Sequence, residues 1–267
     1  MRCLGRYKII WISYGGYRYD YIHERGWLME DKSLIIKKLE NEGITITSEQ
    51  CDKLYRFYEM VIEKNKVMNL TAITDYEEFV IKHFVDSLMI AKVMDMTTPM
   101  TVLDIGTGAG FPGVPIKIVF PETKVLLLDS LNKRLNFLNE VIEELELKDI
   151  ATIHSRAEEL QTKGEYRESF DLCVSRAVSA LPTLSEYCLP YVRLGGKFVA
   201  YKAVGADEEI EASKTAIRVL GGEIKDKAQF TIKDTDYTRV LISIEKVKNT
   251  PKKYPRAGGK PSKNPLQ

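Results

Sequence analysis

Apolar positions recur at helical spacing along the first third of the chain and change their period after it. Beyond Thr47, the residues Leu54, Phe57, Tyr58, Val61 and Ile62 fall on one helical face. Thr47-x-x-Gln50 has the form of a capping box that would start this helix. A second helix is predicted over 76–94, where Phe79, Val80, His83, Phe84, Ser87 and Leu88 share a side. The turn Asn69-Leu70-Thr71 lies between the two, so residues 29–97 read as a helical region. From 98 to 247 short apolar runs alternate with amphipathic stretches, the pattern of βαβ units and a mostly parallel sheet. Strands are predicted at 101–105, 124–129, 150–154, 170–175, 197–202, 228–232 and 239–244. After the second of them Leu135, Leu138, Val141, Ile142 and Leu145 form an apolar stripe opposite an acidic face. Only residues 233–238 join the last two strands, which predicts an antiparallel hairpin at one edge of a seven-stranded sheet.

The two ends break this pattern. Residues 1–28 hold Tyr7, Tyr14, Tyr17, Tyr19, Tyr21, Trp11 and Trp27 with neither helical nor alternating period. The character changes at Met29, which marks that residue as the expected natural start and 1–28 as an upstream extension; the alternative is an aromatic arm packed on the domain. Residues 248–267 carry Lys248, Lys252, Lys253, Arg256, Lys260 and Lys263, four prolines, two glycines and no acid. Such a composition cannot bury enough apolar surface to fold alone, so a flexible basic tail is expected.

Composition narrows the class. A chain of 267 residues accommodates one α/β domain with a modest appendage. Its 44% hydrophobic and 29% charged residues are ordinary for a globular protein. No apolar run reaches the roughly 20 residues of a membrane helix. Lys plus Arg (39) against Asp plus Glu (38) gives a net charge of +1, so any nucleic-acid signal must be local. Cys3, Cys51, Cys173 and Cys188 are far apart, and there are three histidines; this is neither a zinc site nor a disulfide framework. Arg2, Arg6 and Lys8 precede an apolar patch at 9–12 that is too short for a signal peptide. Free thiols, a reducing cytoplasm, no metal, no membrane and a monomer are the expectations.

The strongest chemical signal is Asp104-Ile-Gly106-Thr-Gly108-Ala-Gly110-Phe111-Pro-Gly113, where a strand runs through a glycine loop into a helix. Glycines belong where backbone must turn tightly and approach a ligand, and the helix N-terminus beyond offers free N–H groups. A dinucleotide loop would need its third glycine where Phe111 stands, and no Gly-Lys-Ser/Thr ending marks a phosphate-cradling loop. An acid before the loop with Gly-x-Gly-x-Gly after it resembles motif I of the class I S-adenosylmethionine-dependent methyltransferases. Asp129 ends the next strand, 23 residues beyond Gly106, where a carboxylate can accept hydrogen bonds from a ribose diol.

Further motifs sharpen the resemblance: Asn69-Leu-Thr71, His83 with Asp86-Ser-Leu88, Leu128-Asp-Ser-Leu-Asn-Lys-Arg134, Ser155-Arg-Ala-Glu-Glu159, Ser175-Arg-Ala177, Tyr201-Lys202 and the ending Pro251-Lys-Lys-Tyr-Pro-Arg256. From about Met29 onward the chain resembles the RsmG (GidB) family of bacterial 16S rRNA guanine-N7 methyltransferases. The resemblance implies a Rossmann-like methyltransferase fold with an N-terminal helical cap and S-adenosylmethionine as cofactor. It also implies that Gly106 and Phe111 contact this cofactor, that Ala157 and Glu158 sit beside its adenine, and that Arg176 borders its pocket. The family's substrate is a guanine in the decoding-region loop of 16S rRNA, presented on the 30S subunit or an assembly intermediate. One departure is Ser155, where the family often has glycine. Where amine-methylating enzymes place Asp/Asn-Pro-Pro-Tyr/Phe, this chain has Ser175-Arg176-Ala177, in keeping with a nucleophile that needs no base.

Several residues have two readings each. Arg176 at a strand end either meets cofactor or guanine or forms an ion pair at the sheet edge. Arg156 and Lys202 stand at similar strand ends and are candidates for phosphate or guanine O6; with Arg176 they are the positioning candidates. His83 is a substrate contact or a satisfied structural histidine; Asn69 binds or caps a helix. Cys173 and Cys188 read as buried small hydrophobes. In the tail, Lys252, Lys253, Arg256 and Lys260 are candidates for RNA phosphates and Tyr254 for base stacking.

Overall fold

The computed structural model describes residues 31–160, 166–176 and 179–266, with the backbone of Ser13, Tyr14, Tyr17 and Arg18. The expected start at Met29, Cys3 and Ala177 lie outside the described residues. The chain divides into two units, 1–31 and 32–267. In the first, the two-residue strands Ser13–Tyr14 and Tyr17–Arg18 pair antiparallel.

The second unit is built on seven strands: β1 (Met100–Ile105), β2 (Thr123–Asp129), β3 (Ile150–His154), β4 (Phe170–Arg176), β5 (Val192–Lys202), β6 (Gly222–Thr231) and β7 (Thr238–Lys246). Their order is β3-β2-β1-β4-β5-β7-β6. β1 to β5 run parallel, and β7 enters antiparallel between β5 and β6. The predicted hairpin is there, with both strands longer than their apolar cores because β6 continues into an exposed edge. β5 also begins earlier than expected, at Val192, since Phe170 pairs with Val192 before a bulge resets the register. β1 side chains alternate between two cores: Val102 faces the cluster shared with the N-terminal helices, Leu103 and Ile105 the opposite one.

Helices cover both faces. α1 (Ser33–Asn41) and α2 (Ser48–Met68) share a core with α5 (Gly113–Val119) and α6 (Asn132–Glu144). α7 (Ala157–Leu160), α8 (Leu181–Cys188) and α9 (Asp207–Val219) contribute to the other. The capping box forms as its sequence predicts: Gln50 N donates to Thr47 Oγ1 and Thr47 N to Gln50 Oε1. The same Gln50 side chain caps α5 by donating to the carbonyls of Ile118 and Val119 at 3.1 and 3.0 Å. α2 ends on Asn69 in the left-handed conformation, so Asn69 is a helix cap.

The helix expected over 76–94 is not continuous. It comprises α3 (Tyr76–Phe79), a π-helical turn Val80–Val85, α4 (Asp86–Leu88) and a 3₁₀ turn Met89–Lys92. This stretch is buried on more than one side, with Ile81, Val85 and Asp86 inside as well as the predicted stripe. A π turn widens the helix and re-aims side chains, and such turns occur often at functional sites.

The C-terminal segment corrects the expectation of a flexible tail. Residues 248–266 are folded against the domain and end in a short helix, α10 (Lys260–Lys263). The reason lies outside the segment, in the polar partners that α8, the loop before β4 and Lys246 at the end of β7 supply to it. Tyr254 is buried at 7% exposure, so its ring is not free to stack on a base.

Candidate functional site

The strand order reverses at β1 and β4, and in open α/β sheets the ligand crevice lies at the C-terminal ends of strands at that point. The glycine loop leaves β1 there. Gly106, Gly108 and Gly110 have φ of 72°, 62° and 101°, a region closed to most side chains. Their roles differ. A Cβ on Gly108 would meet nothing nearer than the Gly106 carbonyl at 3.9 Å, so open space lies over it. A Cβ on Gly110 would strike Val114 at 2.7 Å and Leu138 at 2.9 Å, so the loop packs tightly against the helices there and only glycine fits.

Asp104 also works inward. It is fully buried; Oδ2 accepts from Thr107 Oγ1 at 2.7 Å and from Gly113 N at 2.9 Å, while Oδ1 has no partner. Burial pushes its pKa up, against these hydrogen bonds and the charge of Arg176, to about 6. Asp104 braces the loop from beneath through these two bonds. Asp129 does face the loop. Its Oδ2 accepts from Gly108 N at 3.0 Å and from Arg134 at 3.3 Å, and Oδ1 accepts from Leu131 N at 2.8 Å. These bonds fix the carboxylate at the end of β2 beside the space over Gly108. An open glycine cradle flanked by an oriented carboxylate fits a nucleoside such as that of S-adenosylmethionine.

On the other side of the loop, motifs scattered over the sequence form one network. Asn65 Oδ1 accepts from the N–H groups of Leu70 and Thr71, at 2.6 and 2.9 Å. This turn presents Thr71 Oγ1 to His83 Nε2 at 2.8 Å. Across the ring, Arg176 donates to His83 Nδ1 at 3.1 Å. Since a guanidinium only donates, Nδ1 is the acceptor and Nε2–H donates to Thr71. Burial first, then the charges of Arg176, Arg239 and Lys82, push the His83 pKa down to about 3. His83 is neutral and held in one tautomer.

Arg176 donates to the Lys82 carbonyl at 2.9 Å and to Asp86 Oδ2 at 2.8 Å. Asp86 has no exposure, and its other partner is Arg239, which bonds Oδ1 at 2.6 Å and Oδ2 at 3.0 Å. Burial lowers the Arg239 pKa, but Asp86 more than offsets it and the net shift is upward. Beneath lies Phe111, stacked on His83 with centroids 4.5 Å apart and planes within 13°. The Arg176 guanidinium sits 5.1 Å above the same ring. The Phe111 side chain is only 5% exposed and also meets Phe57, so it is a floor to this cluster. Arg176 thus forms the ion pair of one of its two readings, at the C-terminal end of β4. Arg239 was not singled out in the sequence, because nothing in a β-strand pattern announces that β7 lies beside β5 and brings its arginine to Asp86.

The remaining candidates disperse. Ala157 and Glu158 are buried at the start of α7, one strand beyond Asp129, where the Tyr191 hydroxyl donates to the Ala157 carbonyl. Arg156 beside them is exposed. The Lys202 ammonium is engaged within the fold: it donates to the Ser179 carbonyl at 2.6 Å and pairs with Glu209 at 2.7 Å, bracing α9 against the loop after β4. Arg256 is likewise engaged, by Glu186, whereas Lys252, Lys253 and Lys260 are exposed. Cys51, Cys173 and Cys188 are buried thiols. Among the described residues no helix is long and apolar enough to cross a membrane.

Fold and cleft together define a class I methyltransferase that takes S-adenosyl-L-methionine as its methyl donor. Residues 50–238 match the model of one family, GidB, rRNA small subunit methyltransferase G, and the chain belongs to that family. It is 52% identical over 238 residues to the ribosomal RNA small subunit methyltransferase G of Lachnoclostridium phytofermentans, covering 89% of this chain and 98% of that protein. Its counterpart in Acetivibrio thermocellus is 51% identical over 243 residues, 89% of this chain and 100% of that protein. Among solved structures, that of M. jannaschii TYW2 in complex with AdoMet is similar at 16% identity and a TM-score of 0.47, over 61% of this chain and 77% of that one.

Proposed function

We propose that this chain methylates N7 of one guanine in the decoding-region loop of 16S rRNA, presented on the 30S subunit or an assembly intermediate in the cytoplasm. S-adenosylmethionine supplies an electrophilic methyl group on a sulfonium. The glycine cradle and Asp129 hold its nucleoside, with the ribose diol at the carboxylate and the adenine beside Ala157 and Glu158. Phe111 and Arg176 border the cofactor and, with His83, form the wall against which the target base is placed. Arg156 and the exposed lysines of the C-terminal segment meet RNA phosphates.

The observation that carries this reading is the saturation of titratable groups around the crevice. Both His83 nitrogens are engaged, by Thr71 and Arg176, and the ring stays neutral far below physiological pH. Asp86 is held by two arginines, and Asp104 is fully buried under the loop. Neither is placed to take a proton from substrate. Guanine N7 needs none, because it carries a free lone pair, so the enzyme's task is alignment. The test is incubation with 30S particles lacking the modification, followed by borohydride and aniline cleavage. One scission in the decoding-region loop is expected; label transferred without scission, or scission elsewhere, overturns the reading.

A further inference from the structure

The basic C-terminal segment carries an arrangement that its composition does not suggest. Its buried contacts are made by a few residues, and four of its lysines point away from them. Glu186, on α8, has no exposure at all and receives Arg256 through four bonds. The Arg256 backbone N–H reaches Oε1 at 2.7 Å, Nε reaches Oε1 and Oε2 at 2.9 and 3.2 Å, and the terminal nitrogen reaches Oε2 at 2.7 Å. The same nitrogen donates to the Asn264 carbonyl at 2.8 Å, closing the segment on itself. From the loop before β4, Arg167 donates to the carbonyls of Tyr254 and Thr250 at 2.9 and 2.5 Å. Thr183 Oγ1, one turn before Glu186 on α8, donates to the Pro261 carbonyl at 3.0 Å. Tyr254, Pro255 and Pro261 are buried, while Lys252, Lys253, Lys260 and Lys263 are exposed.

The place of this segment matters as much as its order. α8 follows β4, whose last residue is Arg176. Leu266 packs into the cluster that also holds Ala157 and Leu160 of α7 and Leu181 and Leu184 of α8. α8, which holds Glu186 and Thr183 against the docked segment, also packs on α7, where Ala157 and Glu158 lie beside the exposed Arg156. A flexible polycation would have to be ordered when it meets a polyanion, and that ordering subtracts from affinity. A segment already docked does not bear this cost.

We propose that the docked segment is a preformed phosphate-binding face for the rRNA substrate, and that the buried carboxylate of Glu186 is the latch that holds it. This rests on the rRNA reading above. It has an unusual sign. Neutralising an acid raises the net charge of the protein, and long-range electrostatics alone would tighten its hold on RNA. If Glu186 acts as a latch, the same change weakens it.

The test uses the full chain and 16S rRNA in 30S particles lacking the modification. Affinity is measured across a range of salt, alongside hydrogen exchange of the amides at 250–264. Glu186→Gln is isosteric and removes the charge; Thr183→Val releases the Pro261 anchor without changing charge. Should Glu186→Gln fail to melt cooperatively, Thr183→Val carries the test. Both are expected to speed exchange over 250–264 and to lower RNA affinity at least about threefold, the size of ordering one or two side chains on binding. Replacing Lys252, Lys253, Lys260 and Lys263 by alanine is expected to flatten the salt slope by up to about three, given roughly 0.7 per single-strand phosphate contact. An unchanged slope in the lysine variant overturns the phosphate-binding face. Unchanged exchange in both latch variants overturns the latch, and so does faster exchange with affinity held or raised. Failure of the wild-type protein to produce the aniline scission would instead count against the guanine-N7 reading, which these binding measurements do not depend on.

Discussion

Asp129 and Asp104 are two carboxylates of one strand–loop unit, and their surroundings give them opposite work. Asp129 has its oxygens oriented by Gly108, Leu131 and Arg134 at the rim of the cradle. Charge-assisted hydrogen bonds contribute about 1.5–3 kcal/mol each, so Asp129→Ala is expected to weaken S-adenosylmethionine binding roughly ten- to a hundredfold by calorimetry. An affinity within twofold of wild type would remove Asp129 from the site. Asp104 carries a cost in place of a contact, because burial raises its pKa to about 6 while one oxygen stays unpaired. An acid whose pKa is raised on folding contributes stability below its unfolded value of 3.8, and that contribution is lost as pH rises through about 6. Asp104→Asn does not titrate. Its unfolding free energy relative to wild type is therefore expected to rise between pH 4 and 7 by an amount on the order of 3 kcal/mol. A flat difference across that window would show that Asp104 titrates normally. The sequence made both acids conspicuous by their place around Gly106; it held nothing to say that Asp104 points under the loop.

At the scale of elements, the decisive pieces are the π turn and β7. The π turn carries His83 and leads directly into Asp86, and both buried side chains reach Arg176 at the end of β4. β7 then brings Arg239 to the far oxygen of Asp86. Because Arg239 takes both oxygens, Arg176 makes a single bond to Asp86, leaving its second nitrogen for His83 and its face for Phe111. Arg239 is thus a positioning residue for Arg176. Arg239→Ala frees Asp86 to take Arg176 in a two-bond fork, which pulls the guanidinium off His83. Methyl transfer and cofactor affinity are expected to fall at least about tenfold, roughly 1.4 kcal/mol. Arg239→Lys restores charge but no fork, and is expected to recover only a minor part. Full recovery with lysine would mean that charge alone matters. Hairpin, parallel order and glycine loop were legible here from period and turn residues. The π turn was not, since its residues have the same apolar spacing as an ordinary helix.

Across the whole molecule, the buried network ties the helical region to the sheet, and its pH response should be visible in global stability. His83 is a base whose pKa is lowered on folding to about 3. Its contribution is present above the unfolded value near 6.5 and is lost as pH falls toward about 3. Replacing His83 by Gln, which keeps a hydrogen-bonding group but does not titrate, is expected to make thermal unfolding less sensitive to acid between pH 6 and 4. Equal sensitivity in the two proteins would place the acid response elsewhere. The sequence by itself determined the class of fold, the site of the glycine cradle, the acid that answers it and the family, because these rest on local spacing: strand and helix periods, a loop that tolerates only glycine, motifs within a few residues. Tertiary structure alone decided which polar groups are already engaged. Arg176, Lys202 and Arg256 are equally basic in the sequence, yet Asp86, Glu209 and Glu186 reach them from 90, 7 and 70 residues away. Which carboxylate neutralises which cation is set by packing in three dimensions, and that is why a segment that composition marks as a free tail is docked instead.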